Sequence, residues 1–425
     1  MLDIQTIRDD PDRVRRAMRD RGNPGLETVD KALALDMVRR DVLTILQEAR
    51  AHSNTVSRSI GTLMKEEKKE EAQERIAEMA RLKEQIKELE EKARTAETDL
   101  GRLLLEIPNI PHESVPVGRT EDDNKVVHEE GAKPTFDFEP LPHWELAAKH
   151  DLIDFERGAR VTGAGFPFYL GKGARLQRAL INFFLDLATG EGGYREVQTP
   201  LFVNEDSARG TGQLPDKEGQ MYFVGLDGFY PIPTAEVPLT NYYRGEILDE
   251  AALPITICGY TPCWRREAGS YGKHVRGLNR LHQFDKVELV HIVHPEASYE
   301  ALETLREDAE RAVRRLGLPY RRLLMCTGDM GFNQSKQYDL EVWSAGQERW
   351  LEVSSISNFT SYQARRMQIR YRPQGGGKPR IVHTLNGSGL ALPRIVGSLL
   401  ENNQQADGSI VIPEALRPYT GFERI

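Results

Sequence analysis

The sequence predicts an α+β fold: an antiparallel β-sheet domain flanked by helices, preceded by a long antiparallel helical hairpin. Three observations carry this expectation. Short β-rich runs separated by Gly and Pro fill the larger C-terminal part without a regular strand–helix–strand rhythm, which argues against a doubly wound parallel sheet. Residues 26 to about 104 contain little Gly or Pro and almost no aromatics, and are dense in Glu, Lys, Arg, Ala and Leu. Within that stretch apolar residues alternate in steps of three and four, the a/d seam of a coiled coil.

Taken in chain order, Asp3 to Gly22 reads as a short leading helix, with Asp10-Pro11-Asp12 as an N-terminal signal and Gly22-Asn23-Pro24-Gly25 as a stop. The first seam series is Leu35, Val38, Val42, Ile45, Ala49, Val56, Ile60 and Leu63; the second is Met79, Leu82, Ile86, Leu89, Ala93, Ala96, Leu100 and Leu103. Lys65 to Glu71 interrupts the pattern as a solvated tip, so the two helices lie antiparallel. Each is roughly 50 Å long at about 1.5 Å per residue, an arm and not part of a globule. A dimerising coiled coil is the bland alternative. The hairpin satisfies its own seam, however, and Arg39, Arg40, Arg50, Arg58, Lys65, Lys68 and Lys69 are expected to stay free for an anionic partner.

Ile107-Pro108-Asn109-Ile110-Pro111 ends the arm, because Pro cannot continue a helix. The expected organisation is an N-terminal unit 1–106 with its arm at about 27–104, a linker 107–142, and a larger domain 143–425. Strands are expected around Met221–Val224, Ile255–Cys258, Val287–Val290 and Asp339–Trp343, and helices at 172–190, 296–316 and 392–404.

Composition bounds the function. Hydrophobic content of 39% and charged content of 29% are ordinary for a soluble chain, and no apolar run approaches the roughly 18–20 residues of a membrane span. The start Met1-Leu2-Asp3-Ile4 lacks a basic and apolar secretory pattern, and three Cys make no disulfide framework, so a cytoplasmic location is expected. Cys258 and Cys263 fit no common zinc spacing and read as packing residues. A net charge of −8 gives no bulk attraction for nucleic acid, although phosphate contacts depend on local cations.

The chemistry is concentrated in three segments. In the first, Arg265 and Glu267, two apart, are expected on one face of a strand, and the chain returns through a basic loop, Lys273 to Arg280, to Phe284 and Glu288 on alternate positions. A cation, an aromatic and two carboxylates on neighbouring strands suit a nucleotide phosphate, its base and a small zwitterion. In the second, Glu352-Val353-Ser354-Ser355 follows Trp350 on an expected strand, with Glu341 on the strand before. Glu352 and Ser355 offer a carboxylate and a hydroxyl suited to a hard cation such as Mg²⁺. In the third, His383 to Arg394 reads as polar strand, Gly turn and helix start. Glycine there allows close backbone approach to a ligand, and Arg394 can meet phosphate or stack on a base. No Gly-Lys-Ser/Thr of a Walker loop accompanies it.

These segments resemble the three signature motifs of class II aminoacyl-tRNA synthetases, and the bacterial-type seryl family among them. Gly193-Tyr194-Arg195-Glu196-Val197-Gln198-Thr199-Pro200-Leu201 is similar to motif 1, Trp264 through Glu288 to motif 2, and Gly387 through Asn402 to motif 3. Thr234-Ala235-Glu236, Ala268-Gly269-Ser270-Tyr271-Gly272, His282-Gln283-Phe284 and the helical hairpin strengthen the likeness, which spans essentially the whole chain. Leu392-Pro393 stands where the family more often has Val-Gly; Pro in a first helical turn is tolerated.

What the resemblance implies is serine activation by Mg·ATP to seryl-adenylate, then transfer to tRNA(Ser), extending to tRNA(Sec) where one exists. It implies a homodimer built on motif 1, and an arm that lies along the long variable arm of the tRNA. It places Arg265 on the α-phosphate and the serine carboxylate, and Arg394 over adenine and near the γ-phosphate, as the catalytic pair. Arg266, Glu267, Leu281, Phe284, Glu352, Val353, Ser354 and Ser355 complete the ATP site, with Phe284 stacked on the base. Thr234, Ala235, Glu236, Glu288, Asn386 and Ser388, with Arg265, hold serine. Glu341, Glu352 and Ser355 hold Mg²⁺. Two other readings are a relative that loads a carrier protein, which loses the arm, and a dead scaffold, which loses Arg265, Glu267, Glu352 or Arg394. This chain keeps them all.

Overall fold

The computed structural model describes residues 1–216, 218–267 and 275–425. It divides into two compact units, Met1–Pro108 and Asn109–Ile425. In the first, helices α1 (Ile4–Asp9) and α2 (Pro11–Asp20) stand where a single leading helix was expected. Asp10 causes the break: its side chain accepts from Arg13 N while Pro11 opens the next helix at its first position. Helices α3 (Glu27–Lys65) and α4 (Lys69–Leu104) then form the hairpin, turning at the charged tip.

The seam of α4 is as expected, and that of α3 holds at Val42, Ala49 and Val56 but is corrected at Val38 and Ile45. Val38 and Ile45 are 48% and 46% exposed, whereas Leu46 is buried with Ala49 and Leu89. Ile45 and Leu46 both keep a three–four step between Val42 and Ala49, so periodicity alone cannot choose between them. Asp36 is buried on the same helix as well, and takes Arg8 Nε at 3.4 Å, Arg39 Nη2 at 3.0 Å and Arg40 Nε at 3.2 Å. The expectation of free cations is corrected too. Arg50 pairs with Glu90 and Lys68 with Glu66; among the described residues, Arg58, Lys65 and Lys69 are left without an ion pair.

The second unit is built on an eight-stranded sheet. Its strands are β1 (Lys125–Glu130), β2 (Arg195–Glu196), β3 (Ile255–Trp264), β4 (Gln283–Val293), β5 (Tyr320–Leu324), β6 (Lys336–Ser344), β7 (Arg349–Thr360) and β8 (His383–Ala391), in the spatial order β1-β5-β6-β7-β8-β4-β3-β2. Every neighbour pair is antiparallel except β2 beside β3, which is parallel. One edge strand, β1, comes from the segment read as a linker. Met221–Val224 is not a strand; only an isolated bridge joins Val224 to Phe229.

Alternation sorts the sheet into two faces. Val287, Leu289, Leu385 and Ile356 point into the main core, which they share with Leu176, Leu180 and Phe183 of α5 (Gly171–Gly190), Leu302 and Leu305 of α6 (Ser298–Arg315), and Ile395 and Leu399 of α7 (Leu392–Asn402). Each fully buried aliphatic side chain there contributes about 1.5–3 kcal/mol. The opposite face carries the chemistry.

A candidate active site on the open face of the sheet

Phe284, Lys286 and Glu288 are successive same-face positions on β4, and Ser388 lies directly opposite Glu288 across the β8 ladder. Asn386 and Ser357 are likewise opposite each other across β7 and β8. On β7 two residues three apart normally face opposite ways. Here Ser354 pairs with Leu340 and Glu352 with Glu341, leaving Val353 as an extra, bulged residue. The bulge brings Glu352 and Ser355 to the same face.

These side chains line a cavity of about 470 Å³, a size suited to a small-molecule substrate. Arg265, Glu267, Leu281, Phe284, Glu352, Val353, Ser354, Ser355, Arg394, Thr234, Glu236, Glu288, Asn386 and Ser388 all border it. Arg266, Ala235 and Glu341 do not. Arg266 is placed by its backbone N–H on Gln220 O, with its guanidinium 5.8 Å from the Tyr222 ring, and Ala235 is fully buried. The Glu341 carboxylate instead accepts from Arg321 Nε across the ladder at 2.5 Å.

The expected strand pair Arg265/Glu267 is corrected: β3 ends at Trp264, and Glu267 has φ of +49°. Arg265 is aimed by other means. Its N–H donates to His282 O at 2.9 Å, its Nε to Pro233 O at 3.2 Å, and its guanidinium lies 5.2 Å from the Phe284 ring centroid. Glu267 pairs with Arg280 at the rim. Ala268 to Gly272, and Lys273 and His274 of the basic loop, lie outside the described residues.

Across the cavity, Arg394 Nη1 donates to Glu352 O at 2.6 Å and approaches its Oε2 at 3.4 Å. The expected Gly turn before it is corrected as well. β8 extends from His383 to Ala391 with Gly387 and Gly389 inside it, and its register against β4 shifts between Ser388 and Ala391, where Leu390 has φ of +108°. A Cβ at Gly387 would sit 3.2 Å from Ile356 Cγ1 and one at Gly389 3.3 Å from Val287 Cγ1, so close packing in the sheet, not ligand approach, explains these glycines.

One end of the cavity is strongly electrostatic. Thr234 Oγ1 donates to Glu288 Oε2 at 3.1 Å, and Gln363 Nε2 donates to Glu236 Oε1 at 2.6 Å. Burial and then the Glu288 charge push the Glu236 carboxyl up to about 7. Lys286 Nζ meets Glu288 Oε2 at 2.5 Å. Such a cluster suits a zwitterion: carboxylates for an ammonium, hydroxyls and an amide for a small polar side chain.

Sequence reading passed over Lys286, although it falls on the alternate position between Phe284 and Glu288. It also passed over Asp339, two residues before Glu341 and so on the same strand face. Asp339 is buried and accepts from Gln337 Nε2 at 2.9 Å, the same amide that donates to Ser355 Oγ at 3.0 Å. Burial, and then the nearby Glu352, hold its carboxyl well above the usual range.

A sheet of this topology, bearing an Arg on an aromatic at one side and an Arg over a carboxylate at the other, defines a class II aminoacyl-tRNA synthetase core. Residues 225–403 match the model of the tRNA synthetase class II core domain (G, H, P, S and T), and residues 1–111 that of the seryl-tRNA synthetase N-terminal domain. The chain belongs to the seryl-tRNA synthetase family. It is 63% identical to the serine–tRNA ligase of Salinibacter ruber over 100% of this chain and 99% of that one, and 50% identical to that of Exiguobacterium sibiricum over 99% and 98%. Its fold is similar to the seryl-tRNA synthetase of Pyrococcus horikoshii crystallised with ATP, with a TM-score of 0.93 at 36% identity over 100% and 99% of the two chains. The cytoplasmic serine–tRNA ligase of Naegleria fowleri, crystallised with AMP, gives 0.88 at 30% identity over 100% and 98%. Among the described residues no helix is long and apolar enough to cross a membrane.

Proposed function

We propose that this cavity binds ATP and L-serine together, joins them as seryl-adenylate with release of pyrophosphate, and then passes the seryl group to the terminal ribose of tRNA(Ser). The observation that carries the reading is that one cavity is lined both by a carboxylate–hydroxyl cluster at Glu288, Thr234 and Glu236 and by two arginines, Arg265 and Arg394.

In the first step a serine carboxylate oxygen attacks the α-phosphorus and the bond to the pyrophosphate oxygen breaks. The nucleophile is already ionised, so no base is needed, and positioning and charge stabilisation dominate. Arg265 bridges the serine carboxylate and the α-phosphate. Phe284 takes one face of adenine; Arg394 takes the other and reaches toward the γ-phosphate. Glu267 and the Leu281 backbone border the base, with the backbone of Val353 and Ser354 along the nucleotide; Arg266 reaches it only by leaving Tyr222. Glu236 and Glu288 compete for the serine ammonium, and Thr234, Asn386 and Ser388, on the frame that Ala235 completes, hold the rest. Alanine would leave buried polar groups unpaired, which accounts for discrimination against it.

Glu352 and Ser355 present hard oxygen donors side by side because of the bulge at Val353, and this fits Mg²⁺. Glu341 joins them only by leaving Arg321. The metal would neutralise phosphate charge; the protein's part is to hold its ligands on one face.

The hairpin of α3 and α4 is the tRNA arm, with Arg58, Lys65 and Lys69 as phosphate contacts along the variable arm. Residues 1–106 bind tRNA and 143–425 catalyse; the segment Gly193–Leu201 is the core of a homodimer interface; tRNA(Sec) is a substrate where it exists; and the enzyme works in the cytoplasm. The reading is tested by pyrophosphate exchange across the amino acids, followed by charging of total tRNA. Exchange specific to serine with charging of serine-accepting tRNA supports it; exchange with another amino acid overturns it.

A further inference from the structure

Behind the cavity lies a closed polar cluster to which the proposed chemistry assigns nothing. His143 and Glu401 are both 0% exposed. Glu401 Oε1 accepts from His143 N at 2.9 Å and from His143 Nδ1 at 2.7 Å, while Oε2 accepts from Ser344 Oγ and from Gly346 N at 3.0 Å. The far nitrogen of the imidazole, Nε2, accepts the backbone N–H of Leu278 at 2.8 Å. An amide N–H can only donate, so Nε2 carries no proton and Nδ1–H is the group that donates to Glu401.

The imidazole is also clamped between two backbones. A Cβ at Gly277 would lie 2.3 Å from His143 Nε2, and one at Gly397 would lie 3.3 Å from its Cγ. Gly277 belongs to the chain returning toward Phe284, and Gly397 to α7, which carries Arg394. One residue past Leu278, the Asn279 carbonyl accepts Arg394 Nε at 3.0 Å. His143 therefore ties together the two segments that flank the proposed adenine site, beside a second tie through Gln347, whose Oε1 accepts from Asn279 Nδ2 at 2.8 Å and whose Nε2 donates to Glu401 Oε1 at 3.1 Å.

We propose that His143, oriented by Glu401, is a positioning residue for ATP: it locks Leu278–Leu281 to α7, so that Arg394 is aimed before the nucleotide arrives. This rests on the reading of Arg394 as a nucleotide contact. Pre-orientation of this kind lowers the ordering cost of ATP binding and leaves the serine end of the cavity untouched.

The test is steady-state pyrophosphate exchange by the full-length protein carrying H143N, H143Q or R394A. Asn reproduces the donor at Nδ1 but has no acceptor for Leu278, whereas Gln places a carbonyl near Nε2 and keeps one. We expect H143N to raise the KM for ATP about tenfold with the KM for serine within about twofold, and H143Q to recover ATP binding to within about threefold. An unchanged KM for ATP in H143N, or equal impairment of both variants, would overturn the positioning role, since a merely structural polar cluster has no reason to separate them. R394A separates the two failures. If it leaves the KM for ATP unchanged, the reading of the site fails; if it raises that KM while H143N does not, only the inference about His143 fails. Should H143N not fold, G277A keeps both side chains and forces the loop off the imidazole. It is expected to raise the KM for ATP alone, and no rise there counts against the proposal.

Discussion

Lys286 Nζ and Glu288 Oε2 meet at 2.5 Å on one strand, with side chains only 7% and 2% exposed. Two opposite charges are thus buried two positions apart in a cavity that must also take a zwitterion. Removing one partner of a buried pair strands the other, at a cost of about 3–5 kcal/mol. Lys286→Met should therefore lower unfolding free energy by about 3 kcal/mol and weaken serine use, while Lys286→Met/Glu288→Gln should regain part of the stability without regaining serine use. Denaturant melts and exchange kinetics on the three proteins check both halves.

Glu236 predicts a pH dependence. Its carboxyl is lifted from an ordinary 4.5 to about 7 by burial and then by Glu288. A raised folded value means that the folded chain keeps a proton the unfolded chain releases, so this group's contribution to stability is lost as pH rises from 4.5 to 7. Serine binding runs the other way, because an ammonium needs the ionised form. The KM for serine should fall as pH rises through about 7, and Glu236→Gln should flatten that profile. A profile unchanged by the substitution would remove Glu236 from ammonium recognition.

Arg265→Ala removes the cation placed where charge moves from the α-phosphate. Serine-dependent exchange should drop by about 10²–10³ or more, with ATP still bound. Near-normal exchange would sink the assignment.

Glu352→Gln tests the hard-cation reading. The substitution keeps the shape but weakens one oxygen donor, so the Mg²⁺ concentration for half-maximal exchange should rise about tenfold and the KM for serine should hold. A Mg²⁺ titration superimposable on the unaltered enzyme would disprove it.

Deleting residues 30–100 removes all but the ends of α3 and α4, together with Asp36, the partner of Arg8. Adenylate formation should survive within about threefold, whereas tRNA charging should be lost. Retained charging would refute the role of the arm.

Much of this was legible in one dimension. The hairpin was readable because the three–four alternation of α4 has a single consistent phase, and α5, α6 and α7 fell within a few residues of their expected spans. The errors have a physical cause. On α3 the expected series held at Val42, Ala49 and Val56, but Asp36 and Leu46 took the inner places expected of their neighbours Leu35 and Ile45, which a three–four spacing alone cannot distinguish. Lys286 stood in plain view at the right alternation, but a lysine beside a glutamate reads as a surface pair until burial is known.

What the sequence by itself determined is the inventory of chemistry and its local periodicity: which residues are charged, which alternate on a strand, and which family their spacing resembles. Only the tertiary structure decided which of them face one another. The bulge at Val353 turns Glu352 and Ser355 to one side, the cross-strand register sets Ser388 opposite Glu288, and burial lifts Glu236 and closes His143 on Glu401. Facing depends on register and desolvation on packing, and both arise from contacts between segments far apart along the chain.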